Sequence, residues 1–246
     1  MRVMAVVLAT LLVGCAARRG RAEVEASMAR ALDAAWAARR PDFLGVMAAF
    51  DALSAEHTEP VVAWRRVRAE VARAATLAPD EGLVVLDGAR VAGLRCLGGG
   101  DADAGVARLK RGGVVDPSCA TWTAVAWCRW AVRFGPRGAA IDRDVIDRLR
   151  SAAPLDPPFG PVAHALCGVA VGDAGAESLV ELARAPATAR LEGGDDRWML
   201  WEDALAAHGA APVPAGWRTE IRALPIPRAP EARATAVRVN QAVEIR

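Results

Sequence analysis

No stretch of this chain alternates apolar and polar residues for long, and its β-branched runs are short. Strands with one buried face need that alternation, so a sheet has little to start from. Apolar residues instead recur at spacings of three and four within alanine-rich blocks, and proline or glycine cuts the blocks at short intervals. Residues 60–77 show the pattern best. Val61, Trp64, Val67, Val71 and Ala74 form one stripe, and Arg65, Arg66, Glu70 and Arg73 take the other side. That is an amphipathic helix with a single buried stripe. The fold class expected is all-α.

Helices are predicted over residues 23–39, 42–56, 60–77, 80–97, 101–111, 118–134, 142–152, 160–171, 175–185, 196–208 and 214–223. Pro41 stops the first and Pro60 opens the third. The 80–97 helix is apolar on most sides and is expected to be interior. Asp101 or Asp103 caps the next helix, and Asp116-Pro117 opens another. Residues 224–230 are proline-rich and expected to run extended over the surface. Residues 231–243 form a last helix or a frayed tail.

Many short helices joined by short loops suggest stacked hairpins, and an internal repeat tests that idea. Ala89, Ala92, Gly93 and Cys96, then Gly105 and Leu109, then Pro117 stand at the spacing of the tetratricopeptide consensus. Gly93, Gly105 and Gly112 fall where paired helices touch backbone to backbone. The large positions are degraded to alanine or cysteine. Asp116-Pro117 recurs as Asp156-Pro157, about 40 residues on against about 34 for a standard repeat. The surplus is assigned to a connection over residues 135–140. The expected architecture is an α-α superhelix of degenerate tetratricopeptide-like helical hairpins, with a non-repeating bundle as the alternative.

The amino end states an address. Arg2 precedes an uncharged apolar stretch, residues 3–13, which is a secretory signal too short to span a bilayer. Leu12-Val13-Gly14-Cys15 matches the bacterial lipobox at every position, so Cys15 is the expected lipidation site. The organisation read from the chain is a signal peptide at 1–14, a lipidated tether at 15–21, a helical domain at 22–223, and a proline-rich segment with a helix or tail at 224–246. No aspartate follows Cys15, which favours the outer over the inner membrane and places the protein on the periplasmic face.

Composition excludes some classes. Basic and acidic side chains number 31 and 29, for a formal charge of +2, with no basic block suited to nucleic acid. Lys110 is the only lysine and tyrosine is absent, the imprint of GC-rich codons. Cys96, Cys119, Cys128 and Cys167 have no metal-site spacing. Cys119 and Cys128 share a predicted helix and would lie about 13 Å apart, too far to bridge. They read as buried small hydrophobes, or as pairs across neighbouring helices such as Cys96 with Cys128.

Lipobox, tether, and helices in degraded tetratricopeptide pairs ending in Asp-Pro together resemble the T-component lipoproteins associated with TRAP transporters. The motifs carrying the resemblance are the helix with Gly93 and Cys96, the turn at 100–104, Asp116-Pro117, the Trp-bearing helix, and Asp156-Pro157-Pro158-Phe159. The chain departs from that family in lacking tyrosines at repeat positions. The resemblance implies a lipid-anchored extracytoplasmic scaffold that binds a periplasmic substrate-binding protein. It leaves open a homo-oligomer and a cavity for a small apolar ligand.

One chemical patch stands out. Trp122, Arg129 and Arg133 share a side of one predicted helix, beside Trp127 and Trp130. The patch either faces a groove where arginine meets a carboxylate of a partner or ligand, or packs as core with the arginines reaching outward. His57, His164 and His208 are isolated. Asp195-Asp196 in a glycine-rich turn reads as helix capping rather than calcium binding. Ser54, Ser151 and Ser178 lack a nucleophile context, and Gly98-Gly99-Gly100 lacks the lysine of a phosphate loop. No catalytic residue, metal site or cofactor is expected, and the chain is not read as an enzyme.

Overall fold

The computed structural model describes residues 21–38, 43–54, 59–113, 115–156, 159–186, 188 and 195–245. The residues expected to form a signal segment, and Cys15, lie outside them. Among the described residues there are twelve helices and no strand: the fold is all-α. In chain order they are α1 Arg21–Ala38, α2 Phe43–Ser54, α3 Pro60–Thr76, α4 Pro79–Gly98, α5 Ala102–Lys110 and α6 Pro117–Phe134. Then come α7 Pro136–Ala152, α8 Gly160–Ala170, α9 Glu177–Arg184, α10 Asp196–His208, α11 Ala215–Arg222 and α12 Pro230–Ile245.

The helix ends follow local chemistry. Pro60, Pro79, Pro117 and Pro136 each sit at a first turn, where the missing N–H costs nothing. Asp101 caps α5 by accepting from the amides of Asp103 and Ala104, and Asp116 caps α6 through the amide of Cys119. Asp156 has no equivalent role, because α8 begins later, at Gly160, with no side-chain cap. Residues 136–140 are the first turn and more of α7 rather than a connection. Gly135, at φ 88°, makes the whole turn alone, so the surplus repeat length went into a longer helix.

Helices α4/α5, α6/α7 and α8/α9 form successive hairpins. Their first helices touch in series, α4 to α6 to α8, and α5 touches α7 behind them. A side-chain carbon at Gly105 would lie 2.1 Å from the Leu94 carbonyl oxygen, so α4 and α5 meet backbone to backbone as the repeat spacing requires. The other two glycines differ. Gly93 makes room for Thr123 of the next hairpin, and Gly112 is a turn residue at φ 65° with open space around it. Helix α4 is less interior than its composition suggests, since Val84 and Val91 on one face are exposed.

The row of hairpins does not stay open. Helix α3 lies against α4 and α6, α12 against α3, and α10 against both α6 and α12. Helix α12 shares the main core through Ala232, Ala236, Val239 and Val243, so the carboxyl end is a packed helix rather than a tail. Helix α3 has two buried faces, not one stripe. Val67, Val71 and Ala74 join the main core, whereas Val62, Ala69 and Ala72 meet Met28, Leu32 and Trp36 of α1.

Helix α6 is the spine. Nearly every side chain from Cys119 to Val132 is buried. Two disulfides bind it to both neighbours: Cys96–Cys119 ties it to α4, with Cα atoms 5.7 Å apart, and Cys128–Cys167 ties it to α8, at 4.8 Å. Neither the free-thiol reading nor a Cys96–Cys128 pair holds, because Cys96 faces the first turn of α6 and Cys128 lies further along it. Cross-links closing loops of this length are worth about 3–4 kcal/mol each on chain-entropy grounds. Replacing Cys128 and Cys167 together by alanine should lower unfolding stability by roughly that amount, read by denaturant titration. Non-reducing peptide mapping should recover only the 96–119 and 128–167 pairs.

Candidate functional site

Where α3, α10 and α12 close over α6 there is a narrow cavity, partly open to solvent. Trp122, Phe159, Val71 and Val125 give it apolar walls, and Trp36 of α1 lies across it. The rings of Trp122 and Phe159 pack 4.6 Å apart. Arg129, Asp195 and Glu231 supply buried polar groups at its edge. Measured to the centre of a water molecule its volume is about 40 Å³. That is space for a few waters, where a drug-sized ligand occupies a pocket of about 300 Å³ or more. Trp36 is held by the Arg68 guanidinium stacked 4.4 Å from its ring. Arg68 and Arg65 in turn both donate to Asp33, one turn earlier on α1.

The predicted patch is therefore brought together, but it does not face an open groove. Trp122 is 8% exposed and Arg129 3%. Arg129 Nε donates to Asp203 Oδ2 at 2.8 Å, and Asp203, on α10, is fully buried. Arg133 donates to Asp203 Oδ1 at 3.1 Å and to Glu202. Glu202 also accepts from Arg238 of α12. Arg238 reaches on to the carbonyls of Ala75, at 2.7 Å, and Leu77, at 3.1 Å, the open end of α3. There it satisfies carbonyls that have no partner within the helix and complements the helix dipole. The carboxylate expected from a ligand is supplied by the chain itself. The arginines do not reach outward either, because α10 covers them.

The charges in this network shift one another. Burial pushes the Glu202 carboxyl up, but Arg133, the hydrogen bond from Arg238, and Arg129 outweigh it, so it is held below its ordinary value of 4.5. Arg133 is pulled down by burial and up more strongly by Glu202 and Asp203, so it stays charged at any accessible pH.

The remaining candidates have structural roles. Asp195 does not cap its own helix. Its two oxygens accept from the amides of Arg228, at 3.0 Å, and Ala229, at 2.7 Å, and so fasten the start of α12. His164 bonds the Ala153 carbonyl, and His208 bonds that of Pro212. His57 lies outside the described residues. Ser151 and Ser178 each donate to a carbonyl of their own turn. Gly99 and Gly100, both at positive φ, end α4. Among the described residues no group of three or more His, Cys, Asp or Glu side chains is placed to hold a metal ion, and no helix is long and apolar enough to cross a membrane.

Sequence reasoning missed Trp36, Phe159, Glu202, Asp203 and Arg238. One signal was available: Glu202 and Asp203 interrupt the apolar run Trp198, Leu200, Trp201, Ala204, Leu205. Carboxylates inside a helix that apolar need buried cationic partners. No family model, curated protein or solved structure matches the chain. The likeness to T-component lipoproteins rests on the sequence motifs alone.

Removing one member of a buried pair strands the other. Asp203→Ala should cost about 3–5 kcal/mol, whereas an apolar replacement of both Arg129 and Asp203 should recover much of it. Paired denaturation curves of the single and double variants check this. Glu202 contributes stability that is present above its unfolded value of 4.5 and is lost as pH falls through the lower folded one. Thermal melts should therefore separate wild type from Glu202→Gln at pH 7 and bring the two progressively together as pH falls below 4.5.

Proposed function

We propose that this chain is a lipid-anchored extracytoplasmic scaffold, built on degenerate tetratricopeptide-like hairpins, that holds a protein partner at a bacterial membrane. The observation that carries the reading is the pair of buried disulfides, Cys96–Cys119 and Cys128–Cys167. Structural disulfides form and persist in oxidising compartments outside the cytoplasm. That agrees with the export signal and lipobox ending at Cys15. The serial contacts of α4, α6 and α8, with α5 on α7 behind them, support the hairpin part of the reading.

The internal position of Trp122, Arg129 and Arg133 changes where a partner would sit. It would meet an outer face of the hairpins, not the side that α3, α10 and α12 cover. A periplasmic substrate-binding protein of a TRAP transporter, on the outer membrane or the inner, is the first partner to seek. A second reading, a lipoprotein that binds a small apolar ligand, is favoured by the aromatic-walled cavity. In that reading α1 must swing Trp36 aside, since the cavity as it stands has room for only a few waters.

Cys15→Ser should yield an exported chain that no longer carries lipid. Loss of the lipid mass by mass spectrometry, and a chain that high salt strips from membranes without detergent, are the expected results. An unchanged mass would sink the anchoring claim. Capture on the wild-type protein from detergent-solubilised membranes, with mass spectrometry of what is retained, separates the two readings. A stoichiometric protein supports the scaffold, and an apolar small molecule in native spectra supports the cavity.

A further inference from the structure

Between α11 and α12 the chain reads Leu224-Pro225-Ile226-Pro227-Arg228-Ala229 and forms no helix. Ile226 is 91% exposed, more than any other large apolar side chain among the described residues. Pro225 beside it is exposed, and Val237, on the outer side of α12, is 56% exposed and lines the same surface groove. Single exposed apolar residues are ordinary. This one is held out by design of the backbone. Asp195 takes the amides of Arg228 and Ala229, Trp198 Nε1 donates to the Pro225 carbonyl at 3.1 Å, and Arg233 Nε donates to that of Pro227 at 3.3 Å. Prolines on both sides of Ile226 restrict its backbone further.

The rim of this tip is cationic. Arg222, Arg228 and Arg233 are exposed, and among the described residues none of them is in an ion pair. Among the described residues the acidic groups of this region are committed elsewhere or buried: Asp195 accepts from the loop amides, Glu220 pairs with Arg184, and Asp196 and Glu231 are buried. An exposed apolar tip on a hydrogen-bonded loop, beside arginines that are in no ion pair among the described residues, matches a surface that is apolar below and anionic above.

We propose that residues 224–229 form a membrane-contact element. Ile226 and Pro225 enter the headgroup layer of a bilayer containing anionic phospholipid, and Arg222, Arg228 and Arg233 bind lipid phosphates. The element does not depend on lipidation of Cys15. If both operate, they supply the two signals that stable peripheral attachment needs.

The test uses the full chain carrying Cys15→Ser and Ile226→Cys. The other four cysteines are in disulfides, so one thiol accepts an environment-sensitive fluorophore. Vesicles of phosphatidylcholine, alone or mixed with phosphatidylglycerol, are then added. The label should shift to the blue with the anionic vesicles only, and high salt should reverse the shift. A control label at Val84→Cys, on α4 and 73% exposed, should not respond. Substituting Arg222, Arg228 and Arg233 by glutamine should lower partitioning about fivefold per residue. Recruitment through the amino-terminal apolar segment would shift neither label and would overturn the proposal. So would equal response of the two labels, equal response to neutral lipid, or a shift at position 226 that follows protein concentration without vesicles, which would mean a second copy covers the loop.

Discussion

Everything on the covered side of this protein depends on the contact between Arg129 and Asp203. Both side chains are out of water, with Nε and Oδ2 2.8 Å apart. Neither charge is tolerable alone at that depth. The pair therefore demands that α10 lie on α6, and Arg133 with Glu202 repeats the demand one turn along. Arg238 extends it to α12 and to the open carbonyls of α3. Four helices from distant parts of the chain are brought to one place by a shared network in which Asp203 and Glu202 each take two arginines. Apolar burial supplies the bulk of the stability, but it is tolerant of register. The charges are not, and they select this closure among the ways such alanine-rich helices could pack.

Helix α6 carries that network on one side and both disulfides on others. Cys119 holds α4 at its first turn, Cys128 holds α8 further along, and Arg129 and Arg133 hold α10. A helix fixed to its neighbours on several sides has little freedom to shift, so α6 is a poor place for a moving part. Helix α1 is different. It belongs to a small satellite core and is tied to α3 through Asp33 and through the stacking of Trp36 on Arg68. It follows directly after the segment expected to reach the membrane. If any element opens the cavity under Trp36, that is the one with the fewest other commitments.

Much of the helix layout could be read from the chain, because the signals are local. Proline at first turns, Asp101 and Asp116 as caps, and glycine at positive φ each act within a few residues. The misreadings share a different cause. Residues 135–140 read as a connection because glycine and proline stand together, yet Gly135 turns the chain alone and Pro136 starts α7. Gly93 and Gly112 read as helix-contact glycines, but only Gly105 has a backbone carbonyl against it. At the cavity, Trp122 and Arg129 were identified and their surroundings were not. Trp36, Phe159 and Asp203 are far from them in sequence, and periodicity carries no information about which helices meet.

The class of structure and most of the helix ends were legible in the chain alone, since each is written in short-range preference and spacing. How the cysteines pair and where the arginines of α6 point were not legible there. Both depend on which helix lies across α6, and that is set by long-range packing. The same spacing of tryptophan and arginine fits an open binding groove or a closed interior. The buried carboxylates of α10 made it an interior.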